Sequence, residues 1–309
     1  MIKLKNGIRK YAIAFVLLFL CLAISLITDK FFTAKNLTNV LRQISINGIL
    51  TIGMLFVILS GGIDLSVGSS LALSGVILAY LIKNGYSIGV SVMACLACAC
   101  LVGLINGILV AKSKMAPFIV TMATNTMCRG FAYLVTDAKP IAIADSHFVL
   151  LSSTYFLGIP VPAWILFVMF AAGVLILDKT SFGRHLYAVG GNEVAANVSG
   201  VNTGKVKLLG YVFCGLMVGV AACISTARVT SGLCTAGSGF ELDAIASAVI
   251  GGASLAGGTG SLWAGMIGAL IIGVINNGMS LLGVNSYWQQ IIKGLIIILA
   301  VRIDIANKK

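Results

Sequence analysis

Long apolar segments recur along this chain and constrain its fold more than any other feature. Ten such runs, separated by Gly, Pro, Asn and charged residues, lie at residues 11–28, 41–60, 66–83, 88–111, 117–136, 160–178, 206–227, 242–256, 261–282 and 287–302. A helix needs about 20 mostly apolar residues to cross a bilayer. With 59% hydrophobic and 10% charged residues, the chain is predicted to be an all-α, polytopic membrane helix bundle of about ten transmembrane helices.

Basic residues beside the apolar runs predict how the chain is oriented, since cytoplasmic loops carry an excess of Lys and Arg. With a cytoplasmic amino terminus, 13 of the 21 basic residues fall inside, among them Lys3, Lys112, Arg184, Lys308 and Lys309. An even number of spans then places the carboxyl terminus in the cytoplasm too. The net charge of +12 does not indicate nucleic-acid binding, because the charges flank apolar runs and do not cluster on one face with aromatic residues.

A short polar stretch at residues 189–201 interrupts the apolar pattern. Asn192 is a good N-cap, Glu193 would occupy the first helical turn, and Gly200 can adopt the left-handed conformation that ends a helix. A helix of about two turns is unstable alone, so a partner outside the chain is expected to hold it. The predicted orientation places this helix in a cytoplasmic loop at residues 179–206.

Polar side chains also occur at membrane depth, where they are costly and by default suggest function. Asp64 and Ser66 follow two glycines, which predicts a broken helix beside protein or a water-filled cavity; alternatively, Asp64 only caps the third span with help from Ser66. Glu241 and Asp243 begin the eighth span, where helix capping is the alternative role. The candidates for a polar pathway are Asn47, Asp64, Ser66, Asn106, Asn125, Arg129, Glu241, Asp243, Asn276 and Asn277.

The sequence leaves open which groups these polar side chains contact. Arg129 and Lys293 can each reach an interface or pair with one of the acids. The amides of the candidate Asn residues can join helices by hydrogen bonds or bind substrate hydroxyls.

Small residues recur at the spacing that lets helices approach closely, in Gly103-x-x-x-Gly107 and Gly215-x-x-x-Gly219. The stretch Gly103-Leu-Ile-Asn-Gly also resembles Gly273-Val-Ile-Asn-Asn-Gly in the ninth span. The predicted topology makes the fourth and ninth spans run in opposite directions. The similarity therefore indicates a possible inverted repeat.

The sequence lacks the motifs of an energy-converting or catalytic protein. It contains no Gly-x-x-x-x-Gly-Lys-Ser/Thr phosphate loop, no His-Glu-x-x-His and no acidic cluster suited to magnesium. Cys95 and Cys98 have metal-like spacing but no nearby His, so apolar packing is the preferred interpretation. We expect no catalytic residue, metal site or cofactor in this chain, and an energy source in another protein.

Two other classes of function remain open. An ion-coupled carrier acting alone would use Asp64, Glu241 or Asp243 as its coupling carboxylate, and the capped cytoplasmic helix counts against it. An intramembrane enzyme would need acids or histidines clustered at one membrane face, a pattern that the sequence does not show.

Five segments in order resemble the permease subunits of bacterial ABC importers for monosaccharides, most closely the ribose-type permeases. These segments are Gln43–Leu50, Val57–Ser69, Phe182–Val201, Phe240–Ala246 and Val249–Gly260. The resemblance implies a single permease domain over residues 1–309 in the bacterial inner membrane. It also implies a second permease copy, most simply a homodimer, a cytoplasmic ATPase that binds ATP and Mg²⁺, a periplasmic sugar-binding protein, and contact with membrane lipid.

In that family the cytoplasmic Gly-Gly-Asn-Glu region is the coupling helix. The resemblance therefore assigns ATPase coupling to Gly190, Gly191, Asn192, Glu193, Ala195, Ala196, Ser199 and Gly200. Close relatives often read Ser-Ala-x-Pro-Thr-Ala-Gly before Tyr-Glu-Leu-Asp, whereas Ser231–Gly237 has no proline and Phe240 replaces the tyrosine. These departures lie near the predicted outer entrance, so the identity of the sugar stays open.

Overall fold

The computed structural model describes the backbone of residues 2–306 and the side chains of residues 13–299, 301 and 302. Lys308, Lys309 and the side chain of Lys3, which were used to predict the orientation, lie outside the described residues. Within residues 2–306 the helices are α1 Ile2–Ile27, α2 Ala34–Leu59, α3 Val67–Lys83, α4 Ile88–Ala111, α5 Pro117–Thr136, α6 Ser146–Ser153, α7 Val161–Lys179, α8 Ser181–Gly191, α9 Glu193–Val198, α10 Thr203–Val229, α11 Phe240–Ile250, α12 Leu262–Leu281 and α13 Ser286–Ala306.

Two short antiparallel strand pairs complete the described secondary structure. Strand β1, Ile141–Ala142, pairs with β4, Ser231–Gly232, while β2, Tyr155–Phe156, pairs with β3, Ile159–Pro160. The all-α membrane bundle predicted from the sequence is confirmed. Helices α2, α4, α7, α10 and α12 are long and apolar enough to cross a membrane by length and composition.

The predicted eighth span, residues 242–256, is wrong in its length. Helix α11 ends at Ile250, and residues 251–261 form a loop in which Gly252, Gly257 and Gly258 have positive φ angles. Backbone of that kind cannot continue a right-handed helix. Eleven residues reach only about 16 Å at about 1.5 Å per residue, roughly half of the hydrocarbon core.

Helix α10 lies between α2 and α4 and runs antiparallel to both. Between α4 and α10, a Cβ atom on Gly103 would meet the carbonyl oxygen of Tyr211. Further along the same two helices, Gly219 lies against Leu96. Gly53 of α2 lies against Cys214 from the other side. The two predicted small-residue faces therefore do allow close helix packing, as expected from their spacing.

The path of the chain is broken twice inside the bundle. Residues 60–66 separate α2 from α3, and residues 230–239 separate α10 from α11. The starts of α3 and α11 meet there, because a Cβ atom on Gly68 would collide with the carbonyl oxygen of Gly237. The backbone therefore enters the bundle twice without being helical, which membrane proteins tolerate only where protein or a cavity surrounds it.

Helix α12 runs antiparallel to α2, with Gly273 beside Ile44 and Gly265 beside Leu55. Since α2 and α4 are both antiparallel to α10, α12 runs opposite to α4. The opposite directions predicted for the fourth and ninth spans are thus confirmed.

The two ends of the bundle carry different additional elements. Helices α8 and α9 lie where α2 ends, with Gly190 against the carbonyl of Leu59. The opposite end carries α6 and the strand pairs, tied to the end of α10 by a hydrogen bond from Ile143 N to Thr230 O of 2.9 Å. We call these ends the α9 side and the α6 side.

Candidate functional site

The polar stretch at residues 189–201 folds into the capped helix predicted from the sequence. The Asn192 side chain accepts a hydrogen bond from Ala195 N at 2.9 Å, and Gly200 follows the helix with a φ angle of +85°. Glu193 in the first turn forms an ion pair of 2.5 Å with Lys207 of α10. Because Glu193 is half exposed, this pair adds little stability but fixes the side of α9 that faces the bundle.

The side of α9 opposite the buried Ala196 carries two exposed apolar residues that the sequence reasoning missed. Val194 and Val198 are 75% and 84% exposed, while Ala196 between them is buried. Residues four apart lie on one face of a helix. The sequence feature that could have revealed this face is the pair of valines, four residues apart, in a predicted two-turn polar helix. They form an outward apolar face of α9, which we call the valine face.

Helix α8 connects α9 tightly to the rest of the bundle. A Cβ atom on Gly190 would collide with Leu59 O and Gly258 N, two backbone atoms that themselves form a hydrogen bond of 3.1 Å. The Tyr187 hydroxyl donates to Gly260 O at 3.0 Å, and burial raises the pKa of this phenol to about 12. The phenol therefore stays protonated at physiological pH. Movement of α8 would therefore reach the broken segment after α2 and the glycine-rich loop after α11.

The first group of candidate residues forms a buried network, the Asp64 cluster, made of Asp64, Ser66, Asn106 and Thr124. Asp64 Oδ1 accepts from Ser66 N at 2.8 Å and from Ser66 Oγ at 2.6 Å. Asn106 Nδ2 donates to Ser66 Oγ at 2.9 Å, and Thr124 Oγ1 donates to Asn106 Oδ1 at 2.7 Å. Asp64 therefore fixes the turn before α3 through the N-cap residue Ser66.

The second group, the Asp243 cluster, consists of Asp243, Asn276 and Lys293. Asp243 Oδ2 accepts from Lys293 Nζ at 2.9 Å and from Asn276 Nδ2 at 3.2 Å. Nearby, Asn47 Nδ2 donates to Ser247 Oγ at 3.3 Å, one turn along α11. The charge pair that the sequence left open is thus formed by Lys293 and Asp243.

Arg129 pairs with backbone and not with an acid. Its Nη1 donates to Cys234 O at 2.6 Å and Ala236 O at 2.8 Å, and so anchors the segment that leads into α11. Glu241 accepts from Gly239 N at 3.3 Å through Oε1, beside the start of its own helix.

Two of the candidate amides lie outside both clusters. Asn277 exchanges two hydrogen bonds of 2.9 and 3.0 Å with Asn36, which joins the start of α2 to the end of α12. Asn277 therefore joins two helices by hydrogen bonds, which is one of the two roles predicted for the candidate Asn residues. Asn125 is half-buried on α5 beside Thr124.

The two clusters occupy matching positions in the chain. Gly62-Ile-Asp-Leu-Ser66 aligns with Gly239-Phe-Glu-Leu-Asp243, so Ser66 corresponds to Asp243. Asn106 bonds to Ser66, and Asn276 of the similar Gly-x-x-Asn stretch bonds to Asp243. The contacts and the opposite helix directions both follow the inverted repeat suggested by the sequence.

Comparison with known proteins agrees with this architecture. The family described as branched-chain amino acid transport system / permease component matches residues 36–301. The ribose import permease protein RbsC of Escherichia coli (strain K12) is 43% identical over 297 residues, covering 95% of this chain and 92% of the relative. The RbsC protein of Bacillus subtilis (strain 168) is 45% identical over 290 residues, covering 93% and 90%.

More distant sugar permeases match over the full length as well. The xylose transport system permease protein XylH of Haemophilus influenzae is 38% identical and covers 100% of both chains. No solved structure matches the chain. On the family match and these identities, the chain belongs to the branched-chain amino acid transport system / permease component family.

Proposed function

We propose that this chain is the multi-pass, inner-membrane permease subunit of a bacterial ABC importer for a monosaccharide. The relatives named for ribose import and xylose transport support the class of substrate. The observation that carries the proposal is the valine face of α9, an exposed apolar surface on a helix that α8 ties to the loops after α2 and after α11. Exposed apolar groups at such a position favour docking of another protein.

The docked protein in this proposal is a cytoplasmic ATPase that binds ATP and Mg²⁺, so the α9 side faces the cytoplasm. A periplasmic binding protein delivers the sugar at the α6 side. The permease forms a homodimer, which presents two α9 helices to two ATPase subunits. The permease itself makes and breaks no covalent bond.

Of the three carboxylates that an ion-coupled carrier could use, two are already engaged, and Glu241 alone has a buried oxygen without a partner among the described residues. Asp243 is already paired with Lys293, and Asp64 already accepts hydrogen bonds from Ser66 and Asn106. A coupling ion would have to displace these partners. The geometry therefore favours an external energy source.

Reconstitution tests the proposal directly. The chain is placed in proteoliposomes with the ATPase and the binding protein encoded beside it, and uptake of labelled ribose, xylose and arabinose is measured. We expect uptake of at least one sugar that requires ATP, the ATPase and the binding protein together. Uptake by the chain without the ATPase would contradict the proposal.

The valine face is tested in the same system. We expect Val194→Asp/Val198→Asp to reduce co-purification of the ATPase about tenfold or more, because an apolar anchor is replaced by charge. Val229→Asp is the control, since Val229 is also exposed but ends α10 on the α6 side. Loss of the ATPase in both variants would contradict docking at α9.

A further inference from the structure

A polar cavity of about 230 Å³ lies between α2, α10, α11, α12 and α13, near the α6 side. The Asp243 cluster forms part of its wall, and Gln43, Arg228, Ser280 and Gln289 line much of the rest. A cavity of this volume holds several water molecules, which is room for a small polyol.

Two residues that line this cavity each carry a side-chain oxygen without a partner. Asn47 Oδ1 and Asn276 Oδ1 are buried and accept no hydrogen bond from any described residue. Their amide nitrogens are used, by Ser247 and Asp243 respectively. Buried polar atoms are almost always hydrogen-bonded, so these two acceptors call for a hydrogen-bond donor inside the cavity.

The remaining groups limit what that donor can be. Arg228, Lys293 and Gln289 bring N–H donors to the same cavity, so the ligand must accept hydrogen bonds as well. A hydroxyl both donates and accepts. Inorganic phosphate keeps at least one hydrogen near neutral pH and could also do both, so it is the competing ligand in the test below. Ile46 and Phe240 supply an apolar wall for the carbon skeleton between hydroxyls.

We propose that this cavity is a subsite for a polyhydroxylated ligand. In it, hydroxyls of a monosaccharide donate to Asn47 and Asn276 and accept from Lys293 and Gln289. The inference rests on the proposed function and deepens it, because it gives each permease subunit its own contact with the sugar entering from the α6 side. Selection by a binding protein is then followed by a second contact inside the permease.

Neighbouring amides on α12 provide a matched test. Asn276→Ala removes one of the two free acceptors, whereas Asn277→Ala breaks the pair with Asn36 outside the cavity. In the complete reconstituted importer we expect Asn276→Ala to lower sugar uptake per ATP hydrolysed about tenfold, since sites that bind hydroxyls discriminate strongly. Asn277→Ala should stay within about twofold once equal amounts of folded protein are compared.

A second variant fills the cavity with a larger side chain and keeps the ion pair between Asp243 and Lys293 intact. Ser280→Trp should fill the cavity near the end of α12, while Ser286→Trp adds the same side chain at the start of α13 as the control. Saturation-transfer NMR of ribose with the purified chain in nanodiscs should show contact in the wild type and the control and lose it in Ser280→Trp. Broadening of the phosphorus NMR signal of inorganic phosphate, with no saturation transfer to ribose, xylose or arabinose, would overturn the proposal.

Failure of this site and failure of the importer give different results. If the wild type imports sugar with ATP and both Asn276→Ala and Ser280→Trp import it equally well, the subsite is refuted and the importer stands. If the wild type imports no sugar with its ATPase and binding protein, the proposed function fails. The subsite as a station for imported sugar then fails with it.

Discussion

Asp64 shows how one buried carboxylate can be a structural part of a broken helix. Its Oδ1 accepts hydrogen bonds from Ser66 N, Ser66 Oγ and Asn106 Nδ2. An asparagine offers the same acceptor oxygen without the charge. We expect Asp64→Asn to keep both the fold and transport, and Asp64→Ala to cost about 3 kcal/mol in stability because several buried donors lose their partner.

Thermal unfolding of the purified variants, followed by size-exclusion chromatography, measures this difference. The transport assay then separates the two interpretations of Asp64. If Asp64→Asn is as stable as the wild type but imports no sugar, the negative charge has a role in translocation and the structural interpretation is wrong.

Lys293 and Asp243 form the only ion pair among the described residues that joins two helices inside the bundle. The Asp243 side chain is 6% exposed, so removing Lys293 leaves a buried charge. We expect Lys293→Met alone to cost about 3–5 kcal/mol, and Lys293→Met/Asp243→Asn to recover most of it. A double-mutant cycle of melting temperatures measures the coupling; equal losses in the single and the double variant would show that the pair contributes nothing.

At the residue scale, the sequence predicted those features that depend only on residues close by in the chain. The N-cap at Asn192 and the left-handed Gly200 are set within the same eight or nine residues, and both were found. The pair of Lys293 with Asp243 joins positions 50 residues apart, so no local pattern could single it out. The contacts of Arg129 also could not be singled out from a local pattern, because its partners are backbone carbonyl oxygens, which every residue carries.

At the scale of elements, α8 depends on a glycine that permits backbone contact. Gly190 lies against Leu59 O and Gly258 N, whereas a Cβ atom on Gly191 would meet nothing within 4 Å. We expect Gly190→Ala to displace α8 and to uncouple ATP hydrolysis from uptake, with a loss of stability of about 1–3 kcal/mol from overpacking. Gly191→Ala is the matched control in the next position.

The ratio of sugar transported to ATP hydrolysed is the measurement for this pair. Normal coupling in Gly190→Ala would show that α8 does not transmit movement through this contact. Stability of both variants is measured in parallel, so that simple unfolding is recognised.

Element lengths were predictable where apolar runs were long, and less so where glycine enters. The eighth run looked like a span of 15 residues because its composition stays apolar to Ala256. Its helix ends early because the following glycines pack against Gly61, Gly190 and Gly191, contacts that are absent from the local sequence. Tertiary contacts, and not propensity, set the length of α11.

At the scale of the whole molecule, the two repeats hold different conformations of the same motif. Residues 240–243 are the first turn of α11, but the aligned residues 63–66 precede α3 and are not helical. The Asp64 cluster is closed, with Asn106 fully buried, whereas the Asp243 cluster opens onto the cavity near the α6 side. In inverted-repeat transporters, two such conformations can exchange between the repeats and so move the opening from one side of the membrane to the other.

This asymmetry predicts the second state of the permease. When ATP is bound, we expect residues 63–66 to become helical and residues 240–243 to unwind, so that the Asp243 cavity closes and the Asp64 cluster opens towards the α9 side. A groove of about 570 Å³ already lies on the α9 side, between Gly61, Lys114 and Val198. Gly61 is three residues before Asp64 in the chain. Closure of the ATPase subunits would act through α8, which contacts the loop after α2 directly and would reach residues 240–243 along α11 from the loop at its far end.

Hydrogen exchange followed by mass spectrometry tests the exchange of conformations in the complete importer. Amides of residues 67–69 should exchange more slowly after trapping with ATP and vanadate, and those of residues 244–247 faster, because a helical amide is protected by its hydrogen bond to the carbonyl four residues earlier. Peptides from the contact of α4 with α10 around Gly103 serve as the control, because close backbone packing there leaves no room for change. If both segments keep the same protection in the two states, the repeats do not exchange conformations, and the subunits of the proposed dimer must move as rigid bodies instead.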